Sequence, residues 1–474
     1  MNPNIIMRIA QHEWRAIVDS KFSRGMFIAL LLLLGAAFIS GWRERAEIDE
    51  LRDQAQRSQR RHWVERKSDS AHSAAHAGIT VFRPYPVLGA IDPGLHPYSG
   101  TAVFLEAHRR NDLAGAPIDD YPGVLRMSLL SVAGVLQFIV PLVLVVLLAP
   151  AFAGEVEGGT LRMLEGMGAN RFALLTGKFL GIAGPIIGLA LVALALVAVS
   201  IPATEWPRLL LMIVAYLAYL SAIAAVLLGI SAWARSARTA FAIGVAGWVL
   251  TCFLIPRGAN EIAGRAIPTP PAYDMSAGIE RIEQSMVQSR YFDRRKQIEA
   301  ELMRKYSVSS VKELPVSPSA MLLMEWEELT TKVQNASYQD LYARQRMQYV
   351  WVQAAGFLAP TSAIETVSMA LSGADPQHLH HFSDYADQYR FRITQALNQD
   401  LFQNSAPGKD RQRMVSEFQA RQRQLYESIP PFDYRPPPLG WALTNVRLGA
   451  LALALWLVVG LCFTCWSVRH MRVV

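Results

Sequence analysis

The chain has 474 residues, of which 52% are hydrophobic and only 18% are charged, a balance that a soluble enzyme with a charged surface rarely shows. Its formal net charge is +7, but the Arg and Lys residues flank apolar stretches and follow long loops, without the basic patch interleaved with aromatic residues that is typical of nucleic-acid binding. The composition therefore favours a membrane protein in contact with lipid and argues against a nucleic-acid partner.

Six apolar stretches are long enough to cross a bilayer, which takes a helix of about 20 apolar residues. We predict membrane spans at 25–42, 129–153, 179–201, 209–233, 240–256 and 448–466. The first span follows a charged lead rather than a short basic region, which indicates an uncleaved anchor and not a signal peptide. The expected fold is an all-α polytopic membrane protein with two extramembrane segments, the larger of them mainly helical.

The lead, residues 1–24, predicts an amphipathic helix of the kind that lies along a membrane surface. Its apolar residues share one face: Ile6, Ala10, Trp14, Ile17 and Val18. Glu13 falls outside that face.

The segment 43–128 begins with a run of mixed charge that predicts a solvated helix, followed by the Pro- and Gly-punctuated stretch FRPYPVLGAIDPGLHPYSG, which predicts irregular structure. All three cysteines, Cys252, Cys462 and Cys465, fall inside predicted spans, so the extramembrane segments must be stabilised by packing and not by disulfides. The CxxC pair at 462 and 465 is better explained by helix packing in an apolar span than by redox chemistry.

The segment 154–178 follows the second span and combines acidic, flexible and apolar residues. Glu155 and Glu157 stand at the end of the span, and Gly158 and Gly159 permit a sharp turn. Thr160 is placed to cap a short amphipathic helix that carries three apolar residues, Leu161, Met163 and Leu164. Such a helix suits docking into a groove of a soluble partner, and the alternative is an ordinary turn at the membrane surface.

The segment 257–439 is long enough for a domain and predicts helices at 275–306, 320–358, 361–372, 382–402 and 409–427. Breaks are expected at Pro315, Pro318, Pro360, Gly373 and Pro407. The apolar patch at 350–360 is too short to span, so it predicts either core packing or contact with the membrane interface. The Pro-rich stretch PPFDYRPPPLGW then forms a stiff strap into the last span.

Catalytic motifs are missing from the sequence. The two Gly-Lys pairs lack the remaining residues of a phosphate-binding P-loop, and neither HExxH nor GxSxG occurs. Asp375, His378, His380 and His381 are weak candidates for a metal site, because a polar loop explains them equally well. We predict no catalytic residue and no cofactor-binding residue, and therefore not an enzyme.

Orientation follows from the basic residues beside the spans, which mark the cytoplasmic side. One side of the predicted bundle carries most of them: Arg162, Arg171, Lys178, Arg235, Arg238, Arg469 and Arg472. The opposite short loop offers Arg208 alone. Both termini, including the tail 467–474, are therefore expected in the cytoplasm, with 43–128 and 257–439 outside it. The predicted spans hold no ionisable residue of the sort that carries coupling ions, so energy must enter from elsewhere.

Several of these stretches resemble one family. EVEGGTLRMLEGMGANRFALLTGKF is similar to the coupling segment of ABC-2-type ABC transporter permeases, with its E-x-E-x-G-T-L pattern and the R-x-x-x-x-x-G-K entry into the third span. The lead resembles the elbow helix of that family. PYPVLGAIDPG and LAPTSAIETVSMALSGADPQHLHHFSDYADQYR resemble a subgroup with a large extracytoplasmic insertion before the last membrane helix. Classical members have short outer loops, so the usual export mechanism does not carry over automatically.

The resemblance implies a permease subunit in the bacterial inner membrane, paired with a second permease subunit, identical or not. A separate cytoplasmic ATPase dimer would bind ATP and Mg and drive substrate export, with the coupling contact formed by Glu155, Glu157, Gly158, Gly159, Thr160, Leu161, Met163 and Leu164. One alternative is ATP-driven transmission of movement to an extracytoplasmic partner protein without cargo. Another is a membrane receptor without an ATPase.

Overall fold

The structure is a computed structural model that describes residues 3–116, 130–166, 169–288 and 291–471. Within these ranges six helices are long and apolar enough to cross a membrane: Lys21–Glu65, Val132–Glu157, Arg171–Val199, Ala203–Trp233, Ala237–Ala266 and Arg447–Arg469. The chain is therefore a mainly helical, multi-pass membrane protein, as predicted. Each predicted span coincides with one of these helices, apart from the first residues of the second span and the last residues of the third. Residue 129 lies outside the described ranges.

Within the described ranges the chain forms sixteen α-helices and two strands, and eight of the helices and both strands lie in its first half. In chain order they are α1 (Pro3–Asp19), α2 (Lys21–Glu65), α3 (Ala71–Ala77), β1 (Ile79–Phe82), β2 (Ala102–Leu105), α4 (Val132–Glu157), α5 (Thr160–Gly166), α6 (Arg171–Val199), α7 (Trp206–Trp233) and α8 (Ala237–Ala266).

The second half forms eight more helices. They are α9 (Ala272–Gln288), α10 (Tyr291–Tyr306), α11 (Pro318–Ala355), α12 (Pro360–Ser372), α13 (Pro376–Asn404), α14 (Arg411–Ser428), α15 (Leu439–Asn445) and α16 (Arg447–Arg469). We call the side of the bundle that carries α1, residues 158–166 and residues 234–236 the loop face. The opposite side, with residues 66–116, 267–288 and 291–438, is the domain face.

Strands β1 and β2 are a departure from the all-α prediction. They pair antiparallel, with Ile79 opposite Leu105 and Val81 opposite Val103, and all four side chains are buried. Each strand has only four residues, so its alternation of apolar residues is too short to stand out between Pro and Gly residues. The strand pair therefore brackets the stretch predicted as irregular, which runs from Phe82 to Gly100, and it packs with α3 in one core.

Helix α2 joins the first span to the domain face without a break. The prediction separated a span from a solvated helix, but the structure has one helix of 45 residues, about 68 Å long, which is roughly twice the apolar thickness of a bilayer. Near its middle Gly41 lies so close to the loop at Ala90 that a Cβ atom would be 2.4 Å from the Ala90 carbonyl oxygen. At its far end Trp63 packs against Tyr426, with ring centroids 5.1 Å apart.

Three spanning helices contain a wide, π-helical turn, and each turn ends just before a proline. The turns are Val135–Ile139, Phe179–Ala183 and Leu250–Leu254, followed by Pro141, Pro185 and Pro256. A proline in a helix removes one donor and crowds the carbonyl four residues earlier, so a wider turn relieves the clash. In α4 the freed carbonyl of Gln137 accepts a hydrogen bond from the Tyr219 hydroxyl, 2.9 Å away.

Helices α11 and α12 form a hairpin whose tip enters the bundle. The Trp456 indole donates to the Gly356 carbonyl at the tip, over 2.9 Å, and Thr361 at the start of α12 lies 3.1 Å from the Tyr219 hydroxyl. Trp456 and Tyr219 are nine and thirteen residues into α16 and α7, or about 14 and 20 Å from the domain-face ends. Part of the predicted extramembrane domain is therefore packed between spanning helices.

The hairpin also explains the apolar patch at 350–360, which forms the tip. Helix α12 buries Ala363, Ile364 and Val367 in the same core as the spans. It also carries Glu365 into this region, although the predicted spans themselves hold no ionisable side chain.

Several other domain-face elements share a second core, while α10 and the start of α11 form a smaller one of their own. Residues from α2, α3, the strand pair, α13 and α14 pack together there, including Trp63, Ala74, Val81, Phe382 and Tyr426. The two extramembrane segments of the prediction are thus one packed body. Because α2 belongs to that body and to the spanning bundle, the two parts are joined by continuous helix.

Candidate functional site

The loop face is organised around a buried lysine. Lys178 near the start of α6 is 2% exposed, and its ammonium nitrogen lies 2.5 Å from Glu13 Oε1 of α1 and 2.7 Å from Glu155 Oε1 of α4. A buried charge is tolerated when it is paired and hydrogen-bonded, and here two carboxylates surround one ammonium. The contact ties α1, α4 and α6 together at one point.

Helix α1 lies directly on the first turns of α6, where two glycines make room for it. A Cβ atom at Gly177 would be 2.6 Å from Ile9 Cβ, and one at Gly181 would be 2.5 Å from the Ala10 carbonyl oxygen. Ala10 and Ile17 are buried, in agreement with the predicted apolar face, whereas Val18 is 40% exposed. The amphipathic lead is therefore packed against the bundle.

Glu157 connects the end of α4 to the start of α8. Its carboxylate accepts a hydrogen bond from the Ala237 backbone N–H at 3.0 Å. An acidic group at a helix N-terminus satisfies free donors and interacts well with the helix dipole.

Arg171 makes a comparable connection from α6 to the end of α16. Its guanidinium is 2.6 Å from Glu165 and donates to the Arg469 and Met471 carbonyl oxygens at 3.1 and 2.9 Å. Together with the Lys178 cluster, these contacts couple α5 to four other helices. Arg472, assigned to the same side by its charge, lies outside the described residues.

The short helix α5 exists where the sequence predicts it, but its details differ. Gly159 has a φ of +69°, so it supplies the left-handed turn expected of the glycine pair. Thr160 is the first helical residue and does not cap the helix, because its hydroxyl donates backwards to the Glu155 carbonyl at 3.4 Å. The turn is therefore anchored to α4.

The apolar residues of α5 divide between the bundle and the surface. Leu161 is 1% exposed and Leu164 packs on the main core, whereas Met163 is 61% exposed. The expectation that all three are free to dock is wrong for Leu161, because the apolar side of so short a helix is held against the bundle. The accessible patch consists of Glu157, Gly158, Gly159, Thr160, Arg162 and Met163.

The predicted histidine group on α13 does not converge. Asp375 caps the helix by accepting from the His378 N–H at 2.9 Å, and His378 Nδ1 lies 2.5 Å from the same carboxylate. His380 Nε2 is 2.7 Å from Gln345 Oε1, and His381 Nδ1 is 3.0 Å from the Tyr434 hydroxyl. His378 and His381 share one side of the helix, where both rings contact Trp441, and His380 points to another side. Each imidazole has its own hydrogen-bonding partner.

The importance of Glu13 and Lys178 as a pair was missed at the sequence level. The sequence analysis used Lys178 as a basic residue beside a span and as part of a Gly-Lys pair, and Glu13 as a residue off the apolar face, without linking the two. They are 165 positions apart, and no local pattern signals that contact.

Comparison with known proteins gives one finding. Residues 275–435 match a family described as a domain of unknown function, DUF3526. The match covers about a third of the chain, from α9 to the strap before α15, and includes the α11–α12 hairpin. No curated protein sequence matches the chain.

Proposed function

We propose that the chain is the membrane-spanning permease subunit of an ABC-2-type ABC transporter, which couples ATP hydrolysis by a separate cytoplasmic ATPase to substrate export. The observation that carries the proposal is the loop face, where α5 presents a small exposed patch and is tied to α1, α4, α6, α8 and α16. Thr160 and Glu165 bond α5 directly to α4 and α6. Side chains of α4 and α6 in turn contact α1, α8 and the end of α16, so a force applied to the patch would reach these helices through hydrogen bonds and ion pairs.

The chemistry of the patch fits a groove on a soluble protein. Met163 offers a flexible apolar side chain, Glu157 and Arg162 offer charge, and Gly159 allows close backbone approach. In the proposal the loop face and both termini are cytoplasmic, the protein lies in the bacterial inner membrane, and a second permease subunit completes the transporter. ATP and Mg are bound by the partner ATPase.

Cavities between the spanning helices favour transport of a substrate with apolar parts. A cavity of about 180 Å³ lies between α4, α7, α8 and α16, and its lining includes Trp248, Trp456 and Cys252. A larger one of about 1020 Å³ opens on the loop face beside Trp233 and Trp466. The smaller cavity is almost wholly apolar, and the larger one also has polar residues in its lining, among them Arg235 and His470. Concave sites that combine an apolar wall with a few polar groups are typical ligand sites.

Co-purification tests the proposal. We expect a P-loop ATPase to accompany the chain through gentle detergent extraction, and we expect Met163→Glu to abolish that association. Met347→Glu is the matched control, since Met347 is 52% exposed on α11 at the domain face. Recovery of no P-loop ATPase contradicts the proposal and favours a receptor. Equal recovery of the ATPase with both variants contradicts the assignment of the α5 patch as the coupling contact.

A second candidate function is transmission of ATP-driven movement to an extracytoplasmic partner protein. It is supported by α2, which runs unbroken from the spans into the domain-face core, and by the hairpin, which inserts that body into the bundle. Hydrogen exchange of α13 and α14 during ATP turnover distinguishes the two functions. ATP-dependent change there without movement of any substrate into proteoliposomes favours transmission, whereas substrate movement favours export.

A further inference from the structure

Three histidines that the sequence analysis did not single out converge at the domain face. Within the described residues, the ligand nitrogens of His72, His76 and His108 all lie within 4.8 Å of one another. His72 and His76 are one turn apart on α3, which places both imidazoles on the same side of that helix. Their Nε2 atoms are 3.2 Å apart.

His108 reaches the cluster from the loop after β2, and its backbone is strained. Its φ is +63°, in the left-handed region that a residue with a side chain rarely adopts. The buried carboxylate of Glu327 holds it there. Glu327 Oε2 accepts from the His108 backbone N–H at 3.0 Å and lies 2.8 Å from Nδ1 of the ring. The ring is thereby oriented, and Nε2 remains as its second nitrogen.

A metal-binding histidine usually has a carboxylate next to the ring nitrogen that does not bind the metal. This carboxylate fixes the orientation of the ring and makes the other nitrogen a stronger ligand. An imidazole with an ordinary pKa of about 6.5 is largely neutral near pH 7, and neutral imidazole is the form that binds a metal.

The spacing also suits a metal. With Zn–N distances of about 2.0–2.1 Å, the ligand atoms of a tetrahedral site are about 3.3 Å apart, close to the separation of the two α3 nitrogens. A hydrogen bond between two neutral imidazoles explains that one distance but not the approach of the His108 ring to both of them. His108 also borders a cavity of about 370 Å³, beside Glu280 and Glu283, through which water or a further ligand has access.

We propose that His72, His76 and His108 bind a divalent transition metal ion of the Zn²⁺ class, with Glu327 as a positioning residue. The ion would join α3 to the loop after β2 and, through Glu327, to α11 within the segment matched by DUF3526. The site is independent of the loop face and of the proposed transport function.

The test is metal binding by the full-length chain, purified in detergent through a tag without histidines and stripped with a chelator. After dialysis against Zn²⁺ alone, we expect one ion per chain, and Co²⁺ should give the visible absorption of a nitrogen-ligated site. His76→Ala should weaken Zn²⁺ affinity by more than the about 10–100-fold loss typical of a supporting residue. His62→Ala, an exposed histidine on α2, is the matched control and should leave affinity unchanged.

Chemical protection tests the site without any substitution. Bound Zn²⁺ should shield His72, His76 and His108 of the native chain from diethylpyrocarbonate, while His62 stays reactive. Absence of stoichiometric Zn²⁺ and Co²⁺ on the native chain, equal affinities of the two variants, or equal reactivity of all four histidines would each overturn the proposal.

Discussion

Buried charged side chains in this protein are held by more than one partner. Glu327 is fully buried and contacts Arg390, Thr331 and His108, while Arg390 is shared with Asp387 at 2.7 Å. Burial by itself raises the pKa of Glu327. The neighbouring His108 ring and the Arg390 guanidinium lower that pKa by more, so that it lies below its ordinary value. The network joins α11, α13 and the loop after β2.

Glu327→Ala should destabilise the domain face by about 3 kcal/mol, because it leaves the buried Arg390 with a single carboxylate partner. Glu328→Ala, next to it, removes an exposed pair with Lys332 and should change the free energy of unfolding by less than about 1 kcal/mol. Denaturant unfolding of both variants in detergent measures the difference. Similar losses for the two would show that the Glu327 network does not stabilise the fold.

His96 should make the protein sensitive to acid. Burial, together with the Arg83 guanidinium whose Nη2 is 3.1 Å from Nδ1, lowers the pKa of His96 to about 3. Below about pH 6.5 the unfolded chain therefore binds a proton that the folded chain does not. Stability falls with falling pH through that window by up to about 1.4 kcal/mol per pH unit, until the folded-state pKa is reached.

His96→Gln keeps an acceptor for Arg83 and cannot titrate. The stability of this variant should therefore fall less than that of the native chain when the pH is lowered from about 6.5 to about 4.5. Thermal unfolding midpoints of both proteins at the two pH values measure the effect. An equal change of the unfolding midpoint in both proteins would mean that His96 is protonated in the folded state over this pH range.

At the scale of elements, close approach of helices and loops depends on particular glycines. Helix α2 offers a matched pair, since Gly41 faces the Ala90 backbone while a Cβ atom at Gly35 would meet only open space. Gly41→Ala should destabilise the protein by about 1–3 kcal/mol through overpacking against backbone that cannot yield. Gly35→Ala should be neutral or stabilising by up to about 1 kcal/mol, because alanine favours a helix. Thermal unfolding of the two variants checks this, and equal effects would contradict the close approach of the loop at Ala90.

The hairpin of α11 and α12 shows that correctly predicted helix ends do not reveal where the helices lie in the fold. Its break at Pro360 and its end at Gly373 were predicted correctly, since both residues act locally, and Gly373 indeed caps α12 with a φ of +86°. Its insertion between α7 and α16 depends on contacts with Tyr219 and Trp456, which are more than 95 positions away.

At the scale of the whole molecule, the proposed orientation places the domain face outside the cytoplasm. In a background without Cys252, Cys462 and Cys465, Ser416→Cys on α14 should react with a membrane-impermeant maleimide in spheroplasts. Arg162→Cys on α5 should react only after permeabilisation. Both positions are exposed, so the two cysteines have similar access to solvent. Labelling of Arg162→Cys in spheroplasts, and of Ser416→Cys only after permeabilisation, would show the opposite orientation.

The sequence by itself determined the properties that depend on neighbouring residues. Six apolar stretches predicted six spanning helices, and the amphipathic lead and the glycine turn at 158–159 were recognisable from local pattern. Tertiary structure alone decided the pairing of Lys178 with Glu13 and Glu155, the descent of α12 into the bundle, and the convergence of His72, His76 and His108. The physical reason is that spanning a bilayer is a property of one segment's length and polarity, whereas a buried ion pair or a ligand cluster requires the chain to bring distant segments within a few ångströms.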